Sequence, residues 1–174
     1  MRLFIAIGFT EEIKNAIKNV MDAMRAQGVH ADFTAVENLH LTLAFIGETP
    51  SGRIALIREA MENVPPPKID ITLNGIGNFG DLLWVGLKEN RNLSAYVKEL
   101  RSSLRSMGIA FDGKPFKPHV TVARRAKPNA DFTVSVAETS MQAANVSLMK
   151  SERVGGKMRY TELFFIPFTP LSSF

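Results

Sequence analysis

Apolar residues recur along this chain with the spacings of both strands and helices. Residues 3–9 form a nearly continuous apolar run, which is typical of a buried strand. Two longer segments carry apolar side chains at every third or fourth position, which predicts amphipathic helices. The whole pattern predicts a strand over residues 2–8, a helix over 11–27, a strand pair over 31–46 broken near residues 37–38, a helix over 51–63, a hairpin over 68–88, a helix over 91–107, a short strand after Gly108, a strand over 119–124, and strands over 144–152 and 158–166, with residues 129–140 ambiguous between strand and helix.

Turn and capping residues mark the ends of these elements. Thr10 can cap the first helix and Gly28 can follow its end, while three prolines at 65–67 stop the second helix. Strands and helices are interspersed, and many strand pairs have short links. This order predicts an α+β fold with antiparallel sheets. We expect residues 1–174 to form a single two-lobed domain.

Composition excludes some classes of protein. The chain has no cysteine, which removes disulfide frameworks, thiolate zinc sites and cysteine nucleophiles. No stretch approaches the ~20 apolar residues of a transmembrane helix. The run at residues 3–9 lacks a cleavage signal and leads into an acidic helix, so we expect a soluble, cytoplasmic protein that does not bind membranes. The net charge of +4 is concentrated in residues 112–160, which fits either an anionic ligand or a solvated basic face.

One tetrapeptide pattern occurs twice. His40-Leu41-Thr42-Leu43 and His119-Val120-Thr121-Val122 both read His, apolar, Thr, apolar, and an alanine follows each copy. The chain has three histidines, and two of them occupy the same place in the two copies. Side chains alternate along a strand, so the His, the Thr and the following Ala of each copy are expected to share one face. One copy alone fits a structural histidine, but the pair favours a common site.

Two imidazoles and two hydroxyls suit the cleavage of a phosphodiester. In-line displacement at phosphorus needs a base for the incoming oxygen and an acid for the leaving one, and histidine can be either near neutral pH. Hydroxyls can donate to the non-bridging phosphate oxygens, where charge builds. We therefore predict His40 and His119 as catalytic residues, and Thr42 and Thr121 as phosphate-binding residues, brought together by a pseudo-twofold arrangement of the halves.

Other catalytic arrangements lack their sequence signals. Two histidines suit zinc, but a catalytic zinc usually takes three protein ligands, and neither His-Glu-x-x-His nor His-x-His occurs. A nucleophile elbow of the form Gly-x-Ser-x-Gly and a phosphate-binding P-loop are also absent. We therefore predict no metal and no cofactor.

The sequence resembles the two-histidine phosphoesterases, in particular the RNA 2′,3′-cyclic phosphodiesterases, also called 2′-5′ RNA ligases. The resemblance covers nearly the whole chain rather than the two motifs alone. The similar segments are residues 2–7 with the family's first strand, 38–47 with its first motif and trailing glycine, 114–124 with its second motif, and 148–160 with its last strand pair.

The resemblance implies two antiparallel sheets that face each other across a central cleft, with helices outside and with metal-free catalysis. It implies that His40 donates a proton to the leaving 3′ oxygen and that His119 accepts a proton from water, which gives a 2′-phosphate. The near symmetry of the motifs leaves this order open from the residues alone. Phe33 and Val122 stand where the family usually has tryptophan and leucine, so the packing of the substrate base stays open.

Two arginines end the second motif strand, and the sequence gives conflicting indications about them. Strand alternation places Arg125 on the face of His119 and Arg124 on the opposite face. The family resemblance favours Arg124, and strand ends often contain bulges that change the alternation. We predict Arg124 as the substrate-binding residue, although a solvated charge at the strand end is an equal alternative.

Four more residues are candidates for contact with the substrate. Phe116 and Lys117 precede the second motif and suit an RNA strand, because the charge can bind phosphate and the ring can stack on a base. Phe116 fits a core anchor equally well. Ser151 and Tyr160 are expected to border the cleft, unless their hydroxyls are structural.

Three functions are consistent with these residues. The leading hypothesis is an enzyme that hydrolyses RNA 2′,3′-cyclic phosphodiester ends to a 2′-phosphate. The alternatives are 2′-5′ ligation of RNA ends such as tRNA halves, and a non-catalytic module that binds RNA ends. The expected partner is RNA with a cyclic phosphate end, including tRNA fragments, and the expected state is a monomer.

Overall fold

The computed structural model describes residues 1–127 and 131–168. This part of the chain contains three α-helices, nine strands and two short 3₁₀ turns at Val36–Asn38 and Ser51–Arg53. The helices are α1 (Glu11–Ala26), α2 (Ile54–Glu62) and α3 (Arg91–Ser106). The strands are β1 (Arg2–Ile7), β2 (Asp32–Phe33), β3 (Leu41–Glu48), β4 (Asp70–Phe79), β5 (Leu82–Leu87), β6 (His119–Arg124), β7 (Ser140–Gln142), β8 (Asn145–Val154) and β9 (Lys157–Pro167).

The strands form two antiparallel sheets. One sheet has the order β3-β1-β8-β9 and the other has the order β2-β6-β5-β4-β7. The two motif strands, β3 and β6, lie in different sheets and contact each other. The helix α3 contacts β3, while α2 packs against α3 and β9. The predicted α+β class with two antiparallel sheets is confirmed.

Local sequence explains where the helices begin and which faces they bury. The hydroxyl of Thr10 accepts from the Ile13 amide at 3.3 Å, and the side chain of Asn90 accepts from the Leu93 amide at 3.0 Å. Both contacts satisfy amides that have no partner in the first helical turn. Gly28 follows α1 with a φ of +83°, a conformation that favours glycine. None of the helices in the described residues is long and apolar enough to cross a bilayer.

The strands predicted as a pair over residues 31–46 belong to different sheets. Asp32 and Phe33 of β2 pair with Arg124 and Ala123 of β6, whereas β3 pairs with β1. The 3₁₀ turn at Val36–Asn38 separates the two strands and carries the chain from one sheet to the other. The break near residues 37–38 is where the sequence predicts it, but the pairing depends on partners that are distant in sequence.

The short strand predicted after Gly108 is absent, and residues 107–118 form a loop instead. The amide of Asp112 donates to Phe45 O at 2.8 Å, and the amide of Lys114 donates to the Asp112 carboxylate at 3.1 Å. Two prolines in this loop lack an amide hydrogen, which disfavours strand pairing. In the ambiguous segment, residues 128–130 lie outside the described residues, residues 131–139 have no regular structure and β7 begins at residue 140.

Candidate active site

Each copy of the repeated motif contains a β-bulge at the same position. In β3, Ala44 pairs with Ile5 while Thr42 pairs with Ala6, so Leu43 is an extra residue. In β6, Ala123 pairs with Leu83 while Thr121 pairs with Trp84, so Val122 is the extra residue. An extra residue reverses the alternation of side chains along the strand that follows it. The two motifs therefore share a backbone irregularity as well as a sequence pattern.

The bulges correct one expectation about the motif faces. Ala44 and Ala123 are completely buried in the core, so the prediction that they share the face of the histidines was wrong. Arg124, which follows the bulge in β6, is exposed, and its charge acts on His40. The bulge explains why strict alternation favoured Arg125, whose guanidinium instead pairs with the Asp32 carboxylate.

Backbone and side-chain contacts fix the orientation of His40. Its Nδ1 lies 2.7 Å from Asn38 O, and its Nε2 lies 2.8 Å from the hydroxyl oxygen of Thr42. A carbonyl can only accept, so Nδ1 carries the hydrogen, and Nε2 of the neutral ring accepts from the hydroxyl. The side chain of Asn38 is buried and donates to Met158 O of β9 at 2.9 Å. Asn38 therefore connects His40 to the last strand pair.

Aromatic rings surround His40 and affect its protonation. The ring of Phe4 lies 4.8 Å from that of His40, and Tyr160 meets His40 edge-on at 5.2 Å between ring centroids. Burial lowers the pKa of His40; the Asn38 carbonyl opposes this, and the positive charges of Arg124 and His119 lower the pKa further. His40 is therefore held in its neutral form to a lower pH than an ordinary histidine.

His119 has a matching environment in the other sheet. Its Nδ1 lies 2.6 Å from Lys117 O, so this ring too donates to the carbonyl two residues earlier, and the lone pair of the neutral ring is at Nε2. Phe79 meets the ring edge-on at 5.1 Å, and Trp84 lies 6.4 Å away. The Trp84 indole occupies the space above Gly77, where any side chain would collide with the ring. Each histidine is thus held by a carbonyl and by two aromatic neighbours.

The charges of the site act on one another across the two sheets. The strand β6 contacts β3, and the charges of His119 and Arg124 on β6 both lower the pKa of His40. Burial raises the pKa of Tyr160, while the positive charges of Arg124 and Arg2 oppose that change. The charge of Arg124 thus acts on both His40 and Tyr160, and that of Arg2 acts on Tyr160, which favours an anionic ligand at this position.

The other predicted substrate contacts, Phe116, Lys117, Ser151 and Tyr160, lie in three different places. Ser151 and Tyr160 lie opposite each other on β8 and β9, and Ser151 is buried beside Arg2 of β1. Lys117 places its Nζ 5.8 Å from the centroid of the exposed Phe79 ring, on the side of His119. Phe116 packs against the hydrophobic core, which agrees with the alternative that it is a core anchor.

Sequence reasoning missed the aromatic neighbours of the two histidines. Phe4 sits within an apolar run that looks uniformly buried, and Phe79 and Trp84 sit in a hairpin predicted only as a structural element. Their common signal is that these rings lie in the same two sheets as the motif strands. Phe4 is on β1 beside β3, Trp84 is on β5 beside β6, and Phe79 is on β4 beyond β5, which is visible only once the sheet order is known. Among the residues described, no three His, Cys, Asp or Glu side chains gather as a metal site would require.

The fold and the site define a two-sheet α+β protein in which two histidine–threonine motifs approach each other. The family sequence model of the 2′-5′ RNA ligase superfamily matches residues 12–155 of this chain. The chain therefore belongs to the 2′-5′ RNA ligase superfamily, and the predicted family is confirmed.

Relatives in this family have related names. A Geobacillus stearothermophilus protein named RNA 2′,3′-cyclic phosphodiesterase is 31% identical over 150 residues, which cover 82% of this chain and 48% of that protein. This chain thus spans about half the length of the Geobacillus relative. An Archaeoglobus fulgidus protein with the same name is 30% identical over 149 residues, which cover 82% of this chain and 83% of that protein. These names support the predicted cyclic phosphodiesterase family.

Solved structures share the fold. Escherichia coli LigT complexed with 3′-AMP has a TM-score of 0.80 and 28% identity, with 97% of this chain and 98% of that chain covered. A Thermus thermophilus protein has a TM-score of 0.84 and the same coverage, and its 24% identity makes it evidence for the fold alone.

Proposed function

We propose that this protein hydrolyses the 2′,3′-cyclic phosphodiester at the end of an RNA to a 2′-phosphate, by metal-independent acid–base catalysis. The observation that carries the proposal is the matched orientation of the two histidines. Both rings donate through Nδ1 to the carbonyl two residues earlier, so in each neutral ring the lone pair is at Nε2, the atom that exchanges protons in the proposed reaction. Relatives named RNA 2′,3′-cyclic phosphodiesterase support the same substrate class.

In the proposed reaction, a water oxygen forms a bond to phosphorus as the bond from phosphorus to the 3′ oxygen breaks. His119 accepts a proton from the water, and His40 donates a proton to the leaving 3′ oxygen. The phosphate remains attached at the 2′ position. One water is consumed, and proton exchange with solvent returns both rings to their starting states.

Neighbouring side chains supply contacts for the phosphate. Thr42 and Thr121 occupy equivalent motif positions, and their hydroxyls can donate to non-bridging oxygens. In the free protein, the positive charge of Arg124 helps to keep His40 neutral. A bound phosphate would offset this charge. Substrate binding would therefore favour the proton on His40 that the donor role needs.

The RNA strand beside the cyclic phosphate would pass the aromatic and basic groups around the histidines. Phe79 is exposed and has Lys117 close to its ring, a combination that suits stacking and backbone contact with single-stranded RNA. Tyr160 and Ser151 would border the other side of the phosphate. We extend the proposal to a cytoplasmic monomer that acts on RNA fragments, with tRNA fragments as the natural substrates to test first.

A product analysis tests the proposal. An RNA oligonucleotide ending in a 2′,3′-cyclic phosphate is incubated with the protein in EDTA, with and without a second RNA carrying a 5′-hydroxyl. The expected product in both reactions is the 2′-phosphate. A joined 2′-5′ product would favour ligation, a dominant 3′-phosphate would contradict the proposed bond cleavage, and tight binding without turnover would favour the binding module.

A further inference from the structure

Arg101 reaches from α3 to backbone carbonyls in both motif segments. Its Nε donates to Leu43 O at 3.0 Å, and its Nη1 donates to Lys114 O at 2.8 Å. Leu43 directly follows Thr42, and Lys114 lies in the loop that leads to His119. One planar guanidinium therefore connects the first motif to the segment that precedes the second.

The carbonyl of Leu43 needs this donor because of the bulge. Leu43 is completely buried and has no partner residue in the register between β3 and β1. At the equivalent bulge in β6, the carbonyl of Val122 accepts from the backbone amide of Thr34 at 2.9 Å. The second bulge is thus satisfied by backbone next to its own sheet, whereas the first uses a helix side chain that also holds the opposite motif segment.

The guanidinium of Arg101 is itself held in place. The ring centroids of Phe111 and Phe116 each lie 5.6 Å from Cζ of Arg101. In sequence, these two residues flank loop residues 112–115. The same loop makes a second contact with β3, through the amide of Asp112 and the carbonyl of Phe45 at 2.8 Å. These contacts form a fixed connection between the two motif strands.

We propose that Arg101 is a positioning residue that sets the separation of His40 and His119. The proposal rests on the proposed function, in which one histidine donates and the other accepts a proton around a single phosphate. A lysine ammonium lacks the fork geometry that lets one group reach both carbonyls. Arg101→Lys would therefore let the loop and β3 shift relative to each other. A displacement of about 1 Å can lower a rate by about 10²-fold.

The test compares Arg101→Lys and Arg101→Gln with the control Arg105→Gln. Arg105 is one turn further along the same helix and also lies near the Phe111 ring, so the control removes a similar positive charge. With 2′,3′-cyclic AMP as substrate, we expect kcat to fall about tenfold to a hundredfold in both Arg101 variants, with KM nearly unchanged. Arg105→Gln is expected to keep both constants. In ¹⁵N NMR spectra, both histidine ring signals should move in Arg101→Lys and stay in place in Arg105→Gln.

Two results would overturn the positioning role. One is a wild-type kcat in folded Arg101→Lys and Arg101→Gln. The other is a loss of rate that only follows the loss of folded protein measured by circular dichroism, because that would assign Arg101 a structural role. If the wild-type protein hydrolyses neither 2′,3′-cyclic AMP nor cyclic-phosphate RNA, the proposed function fails. The NMR comparison then decides the Arg101 proposal alone. Unmoved histidine ring signals in Arg101→Lys overturn it, and moved signals support it.

Discussion

The hydroxyl of Thr42 donates to Nε2 of His40, with 2.8 Å between the two atoms. The direction follows because Nδ1 of the same ring carries its hydrogen towards Asn38 O. In the free protein, this hydroxyl occupies the nitrogen that the proposed reaction uses. A bound phosphate would replace this contact. The Thr42 hydroxyl would then donate to a phosphate oxygen, and Nε2 of His40 would face the leaving oxygen.

The first prediction concerns that hydroxyl. Thr42→Val keeps the shape of the side chain and removes the donor, so we expect kcat for a cyclic-phosphate RNA to fall about 10²-fold, as for the loss of one donor to a developing oxyanion. Thr42→Ser keeps a hydroxyl and should retain most of the activity. Steady-state kinetics on the two variants give the comparison, and wild-type turnover by Thr42→Val would remove Thr42 from the phosphate site.

The second prediction concerns pH and decides the role of His40. Burial lowers the pKa of His40 below its ordinary value of 6.5, and the charge of Arg124 contributes to the lowering. As proton donor, His40 must be protonated, so kcat/KM should fall as pH rises through this lowered pKa. Arg124→Met removes the charge and should move that falling limb to higher pH. If the rising limb moves instead, His40 is the proton acceptor.

The same shift has a consequence for stability. The unfolded chain binds a proton at His40 near pH 6.5, whereas the folded protein binds it only at lower pH. The free energy of unfolding should therefore decrease as pH falls through 6.5 towards the lowered pKa. Urea unfolding of wild type and His40→Asn at neutral and mildly acidic pH should show a smaller decrease in the variant. Equal decreases would indicate that His40 is not held neutral by the fold.

The third prediction concerns Asn38, whose backbone carbonyl accepts from His40 and whose buried side-chain amide donates to Met158 O of β9. Asn38→Ala leaves Met158 O without its donor, and we expect a loss of about 1–3 kcal/mol in the free energy of unfolding. The edge-on contact between Tyr160 and His40 should loosen, and kcat should decrease. Asn92→Ala is the control, because the Asn92 side chain also donates to a carbonyl but at an exposed position far from the histidines in sequence. Equal effects of the two substitutions would contradict a special role for Asn38.

The fourth prediction uses Trp84, which is the only tryptophan in the chain. A methyl group in Gly77→Ala would collide with its indole, so the ring must move away from β4. We expect a loss of about 1–3 kcal/mol in stability, a change in tryptophan fluorescence and a lower kcat, because Trp84 neighbours His119. Gly52→Ala has open space and should change none of these three quantities. Unchanged fluorescence in Gly77→Ala would show that the indole is not held there.

The sequence was sufficient to predict most of the elements and to single out two histidines whose strands contact each other in the fold. Hydrophobic spacing and caps are local signals, so the strand at 2–8, the three helices and the hairpin at 68–88 lie close to their predicted bounds. The repeated motif indicated a shared site because two rare residues fall in matching contexts. Both kinds of signal are contained within a few neighbouring positions.

The features that escaped prediction depend on neighbours that are distant in sequence. The bulges at Leu43 and Val122 are defined by the register with β1 and β5, so alternation alone gave the wrong face for Ala44 and favoured Arg125. The division of residues 31–46 between two sheets has the same origin. The aromatic neighbours of the histidines come from other strands, and only the sheet order brings them together.

The most direct test of the account is the turnover of an RNA ending in a 2′,3′-cyclic phosphate by wild type, His40→Gln and His119→Gln, all in the presence of EDTA. Each proton transfer is worth about 10²–10⁴ in rate. We predict that wild type forms the 2′-phosphate at a rate unaffected by EDTA, and that each variant loses about that factor while its circular dichroism spectrum stays native. Wild-type rates in either histidine variant, or loss of wild-type activity in EDTA, would contradict catalysis by two histidines at one phosphate.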